Sequence, residues 1–167
     1  MQLDKRNAVV ADKCYCDGTV CAEDVSVNLP AVNFLTTTVR VMGDMDVVIA
    51  GLLEAMEATI TRVGVDKGLA AMTTPVKHSY VFNWAQNVVK VDGTTGPEGC
   101  KAFVEGVPKG VPAIGVEIGN NTETEIAIAV YAYRLVVGGE EVVNIDRFGG
   151  KCIINGVDYY ATLRTIL

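Results

Sequence analysis

Histidine is almost missing from this sequence: His78 is the only one among 167 residues. It stands far from the cysteines in sequence, which weakens any Cys/His metal cluster, and no nucleophile or orienting carboxylate is recognisable beside it. His78 therefore reads as a strand residue at the edge of an aromatic row, not as a general base. Positive charge is also scarce. With 14 Lys and Arg against 20 Asp and Glu, the chain carries a formal −6, which argues against gripping nucleic acid by neutralising phosphates. Long apolar runs are lacking as well. The longest stretch, residues 125–137, is interrupted by Tyr133 and Arg134 and falls short of the ~20 residues that span a bilayer. The start, "MQLDKRNAVVADK", lacks the roughly 7 to 15 apolar residues of a secretory signal. Synthesis and folding in a cytoplasm, with no membrane anchoring, are expected. "GVPKG" lacks the Walker pattern and no helix follows it, so it is not a phosphate loop. No internal repeat or low-complexity segment is present.

What the chain does have is hydrophobic residues, half of the total, in strand-forming types joined by glycine turns. The length suits one domain with one core, residues 1–167. Disorder is excluded by the same composition. Five cysteines, Cys14, Cys16, Cys21, Cys100 and Cys152, are an odd number that cannot all pair within one chain. Three readings stay open: small buried hydrophobes, intermolecular disulfides of an oligomer, or metal binding, the last weakened because "CYCDGTVC" lacks C-x-x-C spacing.

Turn signals organise the chain. Asp17-Gly18 predicts a hairpin, because both central positions tolerate positive φ. Val25, Val27 and Leu29 alternate with Asp24, Ser26 and Asn28, predicting a half-buried strand that Pro30 ends. "TTTVRVMGDMDVVI" predicts an extended hairpin arm at about residues 36–50, turning at Gly43-Asp44, with apolar and charged residues mixed on both faces. "LLEAMEATITRV" is ambiguous and is read as one strand bracketed by Gly51 and Gly64. Asp66 caps a predicted short helix with Leu69, Ala70 and Met72 inward. Tyr80, Phe82 and Trp84 share a strand face with His78. Glycine and proline between Asp92 and Pro112 predict loops around one short strand, and "AIGVEIGNN" reads as another short strand. Then comes a long hairpin turning at Gly138-Gly139. Its first arm places Ile126, Ile128, Val130, Ala132 and Arg134 on one face. Gly149-Gly150 and Asn155-Gly156 set two more turns, and Asp158 is expected to cap a closing helix carrying Tyr159, Tyr160, Leu163 and Ile166.

Three blocks in this order resemble the major tail tube proteins of contractile-tailed bacteriophages and of R-type bacteriocins. The C-terminal block "AVYAYRLVVGGEEVVNIDRFGGKCIINGVDYYATLR" carries Ile145-Asp146 and Asn155-Gly156-Val157-Asp158. "GLLEAMEATI" is similar to that family's Gly-Leu-Glu-Ala-Met-Glu-Ala run, with Leu53, Glu54, Met56 and Glu57 in place and one additional Leu. The third is Asp17-Gly18 followed by Leu29-Pro30. The arm departs from the family: "VRVMGDMD" keeps Arg40, Gly43 and Met45 but lacks the double glycine of Tyr-Arg-x-Gly-Gly-Met, and the cysteines are unusual for the family.

The resemblance implies a mainly β protein, a β-barrel or sandwich of antiparallel strands with one or two short α-helices, in hexameric rings. Rings would stack helically into a hollow tube inside a contractile sheath, the path of DNA ejection in a virion assembled in the host bacterial cytoplasm. Six copies at a formal −6 each give about −36 per ring, an acidic lumen past which DNA slides without sticking. Glu123, Glu125, Glu140 and Glu141 are the candidate lumen-facing carboxylates. The implied partners are further copies of the chain, the sheath, baseplate, tape-measure and tail terminator proteins, with transient, non-specific passage of DNA. No enzymatic activity, cofactor or bound metal is expected. The tube of a bacteriocin or secretion system without DNA is the near alternative, and a small cysteine-based metal or redox protein the remote one. Thiols at ring or sheath contacts would be possible inter-subunit disulfide sites after lysis.

Overall fold

The computed structural model describes residues 3–167; Met1 and Gln2, the start of the expected single domain, lie outside the described residues. Chain order is β1 (Lys5–Cys16), β2 (Thr19–Glu23), β3 (Ser26–Asn28), β4 (Phe34–Arg40), β5 (Asp44–Leu53) and β6 (Met56–Val63). Helix α1 (Lys67–Thr73) precedes β7 (His78–Val89), β8 (Thr95–Pro108), β9 (Glu123–Val137) and β10 (Glu140–Asp146). The chain closes with β11 (Lys151–Ile154), β12 (Val157–Asp158) and α2 (Ala161–Ile166). The protein is mainly β, with antiparallel pairing in every ladder and two short helices, as the sequence predicts.

Ten strands form one sheet in the order β12-β11-β10-β9-β8-β7-β1-β2, with β6 on β9 and β3 on β6. Strand β9 is the spine. One of its edges pairs with β8; the other is shared, β6 pairing from Glu123 to Val130 and β10 from Ala132 to Val137. The handover falls at Tyr131, opposite a register shift in β8 between Glu105 and Gly106. That extra residue changes the side-chain phase. Thr124, Ile126, Ile128 and Val130 are buried, but beyond the bulge Tyr133 is buried and Arg134 exposed. The expected common face of Ile126 to Arg134 is therefore wrong past Val130. Gly106 marks the pinch: a Cβ there would collide with the carbonyl oxygen of Ala129.

Core side chains come from the long strands on all sides. Cys14, Met56, Ile60, Tyr80, Phe82, Val104, Ile126, Ile128, Ile145 and Cys152 form one cluster, and Leu69 and Met72 of α1 join it. Asp66 caps α1 as predicted, its carboxylate accepting from the Leu69 N–H at 3.1 Å. Thr73, not Ala70, is the helix's third buried residue, since its hydroxyl is satisfied by the Leu69 carbonyl at 2.8 Å.

Three further expectations need correction. Residues 52–63 are not one strand: β5 ends at Leu53 and β6 starts at Met56, with Gly51 inside β5 at φ 93°. The break is satisfied locally, the Glu54 N–H donating to the Asn33 carbonyl at 2.9 Å. Between Asp92 and Pro112 the expected one short strand is the 14-residue β8, so the loops shrink to its two flanks. Pro97 is tolerated because β9 begins pairing only at Cys100, so the proline lies where β8 has a single neighbour. "AIGVEIGNN", by contrast, is a loop with Val116 and Ile118 almost fully exposed, and no strand pairs with it among the described residues. No helix of the described residues is long and apolar enough to cross a membrane.

Candidate functional site

Strands β4 and β5 pair only with each other among the described residues, and so form an arm separate from the main sheet. Directly paired residues of an antiparallel ladder share a face. Leu35 faces Ile49, Thr37 faces Val47 and Val39 faces Met45, which gives one continuous apolar face. Thr36, Thr38 and Arg40 pair with Val48, Asp46 and Asp44 on the other. There the Thr38 hydroxyl donates to Asp46 at 3.0 Å, and Arg40 meets Asp44 at 3.2 Å. The expected mixing of apolar and charged residues on both faces is thus corrected for one of them: the register gathers Arg40, Asp44 and Asp46 on a single face, where Val48 stays beside them. Val39, Met45 and Val47 stay exposed within one subunit, and Met42 at the tip is fully so.

The root of the arm is clasped by the C-terminal block. The Arg147 guanidinium donates to the Glu54 and Leu53 carbonyls at 2.8 and 3.2 Å. The Tyr159 ring meets Phe34 edge-on at 6.2 Å, and the Tyr159 carbonyl occupies the space a Cβ on Gly51 would need. Two of the three sequence blocks therefore meet here. Leu53 is half-buried, Glu54 exposed, Met56 in the core, and Glu57 exposed and paired with Lys109. Ile145 is buried, while Asp146 accepts from the Phe148 and Gly149 N–H groups to hold the Gly149-Gly150 turn.

Asn155 and Gly156, with φ of 51° and 80°, turn the chain between Ile154 and Val157. Asp158 does not cap α2. It accepts from the Tyr160 N–H at 3.0 Å and from Arg164 at 2.7 Å, so the helix starts later, after Tyr160. Nor does α2 bury a face: none of its residues is buried, and Tyr160 just before it makes the core contact.

The third block lies apart, at the β1-β2 hairpin. Asp17 and Gly18, φ 52° and 82°, form its turn, and Leu29 and Pro30 follow β3. Here the sequence reading missed a partner. Asp17 Oδ2 lies 2.6 Å from His78 Nδ1, and Asp17 Oδ1 accepts from the Ser79 N–H at 3.0 Å. Both contacts hold the carboxyl below its usual range, the Ser79 amide contributing most. An orienting carboxylate therefore does stand beside His78, brought from 61 residues away. Only the strand parity of His78 hinted at its place. Its other nitrogen, Nε2, faces the Thr74 carbonyl at 2.9 Å, so both ring nitrogens are engaged and neither is free to activate a nucleophile.

Four cysteines are buried and Cys21 is half-buried. Cys14, Cys16 and Cys21 form one thiol group: hydrogen bonding to Cys21, then burial, pushes Cys14 and Cys16 up, while Cys21 is pulled down by the same bonds. Burial is the main cause that pushes up both Cys152 and Cys100, with the Asp158 and Glu98 carboxylates adding to it. The candidate carboxylates divide into two pairs. Glu123 and Glu125 begin β9, whereas Glu140 and Glu141 follow its far end, about 40 Å away at 3.3 Å per residue. Glu141 is engaged by Arg134 at 2.6 Å.

A β subunit that displays an apolar face on a clasped arm has a surface suited to cover by another protein chain. The chain belongs to the phage tail tube protein FII family, whose model matches residues 6–167. It is a structural subunit of a phage tail tube, and so a component of the virion. No curated protein matches the chain.

Proposed function

We propose that this subunit forms hexameric rings that stack helically into the rigid inner tube of a contractile tail, through which DNA passes after sheath contraction. The observation that carries the reading is the amphipathic β4-β5 arm. Leu35, Val39, Met45 and Val47, with half-buried Ile49 at their root, present an apolar face that a monomer leaves in water and a neighbouring copy covers. Exposed Val111, Val116 and Ile118 of the loop after β8 add a second apolar contact region. The outer surface of the tube meets the sheath, and its ends meet baseplate, tape-measure and terminator proteins, all assembled in the host cytoplasm. Unpaired carboxylates, Glu123, Glu125 and Glu140 foremost, keep the lumen acidic so that DNA slides.

The test is a double substitution, V39D/V47D, on the arm's apolar face. Wild-type protein should give rings and tubes by negative-stain microscopy. The variant should keep its circular dichroism and melting temperature yet stay monomeric. Wild-type protein that remains monomeric at every concentration, or a variant that polymerises as well as wild type, overturns the proposal.

A further inference from the structure

The β1-β2 hairpin tip holds an arrangement that its role in a tube does not require. His78 is buried, and its Nε2 faces a backbone carbonyl, which only accepts. The proton of the neutral ring therefore sits on Nε2, leaving the Nδ1 lone pair aimed at Asp17 Oδ2, 2.6 Å away, itself an acceptor. Two acceptors facing one another need a positive charge between them. A second ring proton is one solution and a metal cation the other. Histidines that ligate metals characteristically donate their second N–H to a backbone carbonyl or carboxylate, as Nε2 does here.

A thiol completes the corner. Cys16 Sγ lies 3.9 Å from Asp17 Oδ2, and the sulfur, the carboxylate oxygen and the imidazole nitrogen all lie within 4.8 Å of one another. The Cys21 thiol on β2 is turned to the Cys14 carbonyl, 3.7 Å away, and stays outside this corner. Zinc-type bond lengths of about 2.3 Å to sulfur and 2.0 Å to nitrogen set tetrahedral ligands roughly 3 to 4 Å apart. The Cys16-Asp17 separation already fits. Asp17 must open away from His78 by a fraction of an ångström, and its carboxylate is free to do so because the side chain is 54% exposed. The same exposure gives the ion a way in.

We propose that Cys16, Asp17 and His78, with water completing the coordination, form a binding site for a thiophilic divalent cation of the zinc type. Coordination displaces the Cys16 thiol proton to solvent, and the ion ties β1 and its turn to β7 at the hairpin tip. The site owes nothing to the tube interfaces and stands or falls separately from them.

Purified full-length protein, reduced and metal-free, is titrated with Zn2+ and separately with Cd2+. Bound metal is measured after desalting, cadmium-thiolate absorption is followed in the ultraviolet, and melting temperature is recorded. One ion per chain, a thiolate absorption band and a raised melting temperature are expected. H78Q and D17N should each weaken binding at least tenfold, whereas C100S, outside the corner, should bind as wild type does. C16S should lose binding and the thiolate band, and H78Q and D17N carry the test if C16S does not fold. Absence of stoichiometric metal in the wild type, or unchanged affinity in both H78Q and D17N, overturns the site.

Discussion

At the scale of single residues, contacts across neighbouring strands decide the chemistry. Glu98 on β8 is reached by Arg6 from β1, at 2.7 Å, and by Gln86 from the intervening β7, at 2.8 Å. The Arg6 guanidinium, then the Gln86 amide, hold the Glu98 carboxyl down to about 2. Its folded-state value is thus depressed below the ordinary ~4.3 of a glutamate. Stability from this rung is fully present above that ordinary value and is lost as pH falls through about 2. Wild-type protein should therefore lose melting temperature between about pH 4.5 and 2 more steeply than E98Q. Parallel melting curves of the two proteins over that range would refute the rung's contribution. Added salt should narrow the difference, since Arg6 is half exposed. None of this network is legible in the sequence: Arg6 and Glu98 stand 92 residues apart, and neither belongs to a recognisable motif.

Among elements, α1 carries more than its length suggests. Asp66 caps it and also pairs with Arg62 at 2.8 Å, and Arg62 is buried while its Nε lacks a partner. Removing the carboxylate both uncaps the helix and leaves a buried guanidinium without its anion. D66A should cost about 2–3 kcal/mol, and D66N, which keeps the cap oxygen, should recover about 1 kcal/mol of it. Urea denaturation of the three proteins measures both steps; equal losses in D66A and D66N would remove the cap from the account. The cap itself was readable, because Asp before Lys-Gly-Leu-Ala-Ala is a local signal. Turns were readable for the same reason: Asp17-Gly18, Gly138-Gly139 and Asn155-Gly156 impose positive φ wherever they occur. What lay outside local reach were β8, whose glycines and prolines are tolerated only because of where β7 and β9 pair with it, and the phase change at Tyr131. Asp158 was misread for a related reason: a carboxylate before a short helical stretch signals a cap, but Arg164 and the Tyr160 amide use both its oxygens.

For the whole molecule, the decisive division is between the ten-stranded sheet, with its single core cluster, and the two-stranded arm, which has none of its own. The arm's position was legible from its turn and its length, but its polarity was not, because only the register sorts Val39, Met45 and Val47 from Arg40, Asp44 and Asp46. A lone two-stranded hairpin is marginal in water. This one is anchored only near its root, by Phe34, Gly51 and the Arg147 bonds, while its apolar face lies open. In the free subunit the arm's ladder amides, Leu35 to Ile49, should then exchange hydrogen far faster than those of β7, β8 and β9, which open only with the core. Once a neighbouring copy covers the apolar face, the same amides should be among the slowest to exchange. A hundredfold rise in protection across this segment corresponds to about 2.8 kcal/mol placed on the arm by assembly. The measurement compares free subunits with purified tubes by exchange and mass spectrometry. Equal protection of residues 35–49 in the two states would mean that the arm is not the element through which the subunits hold each other.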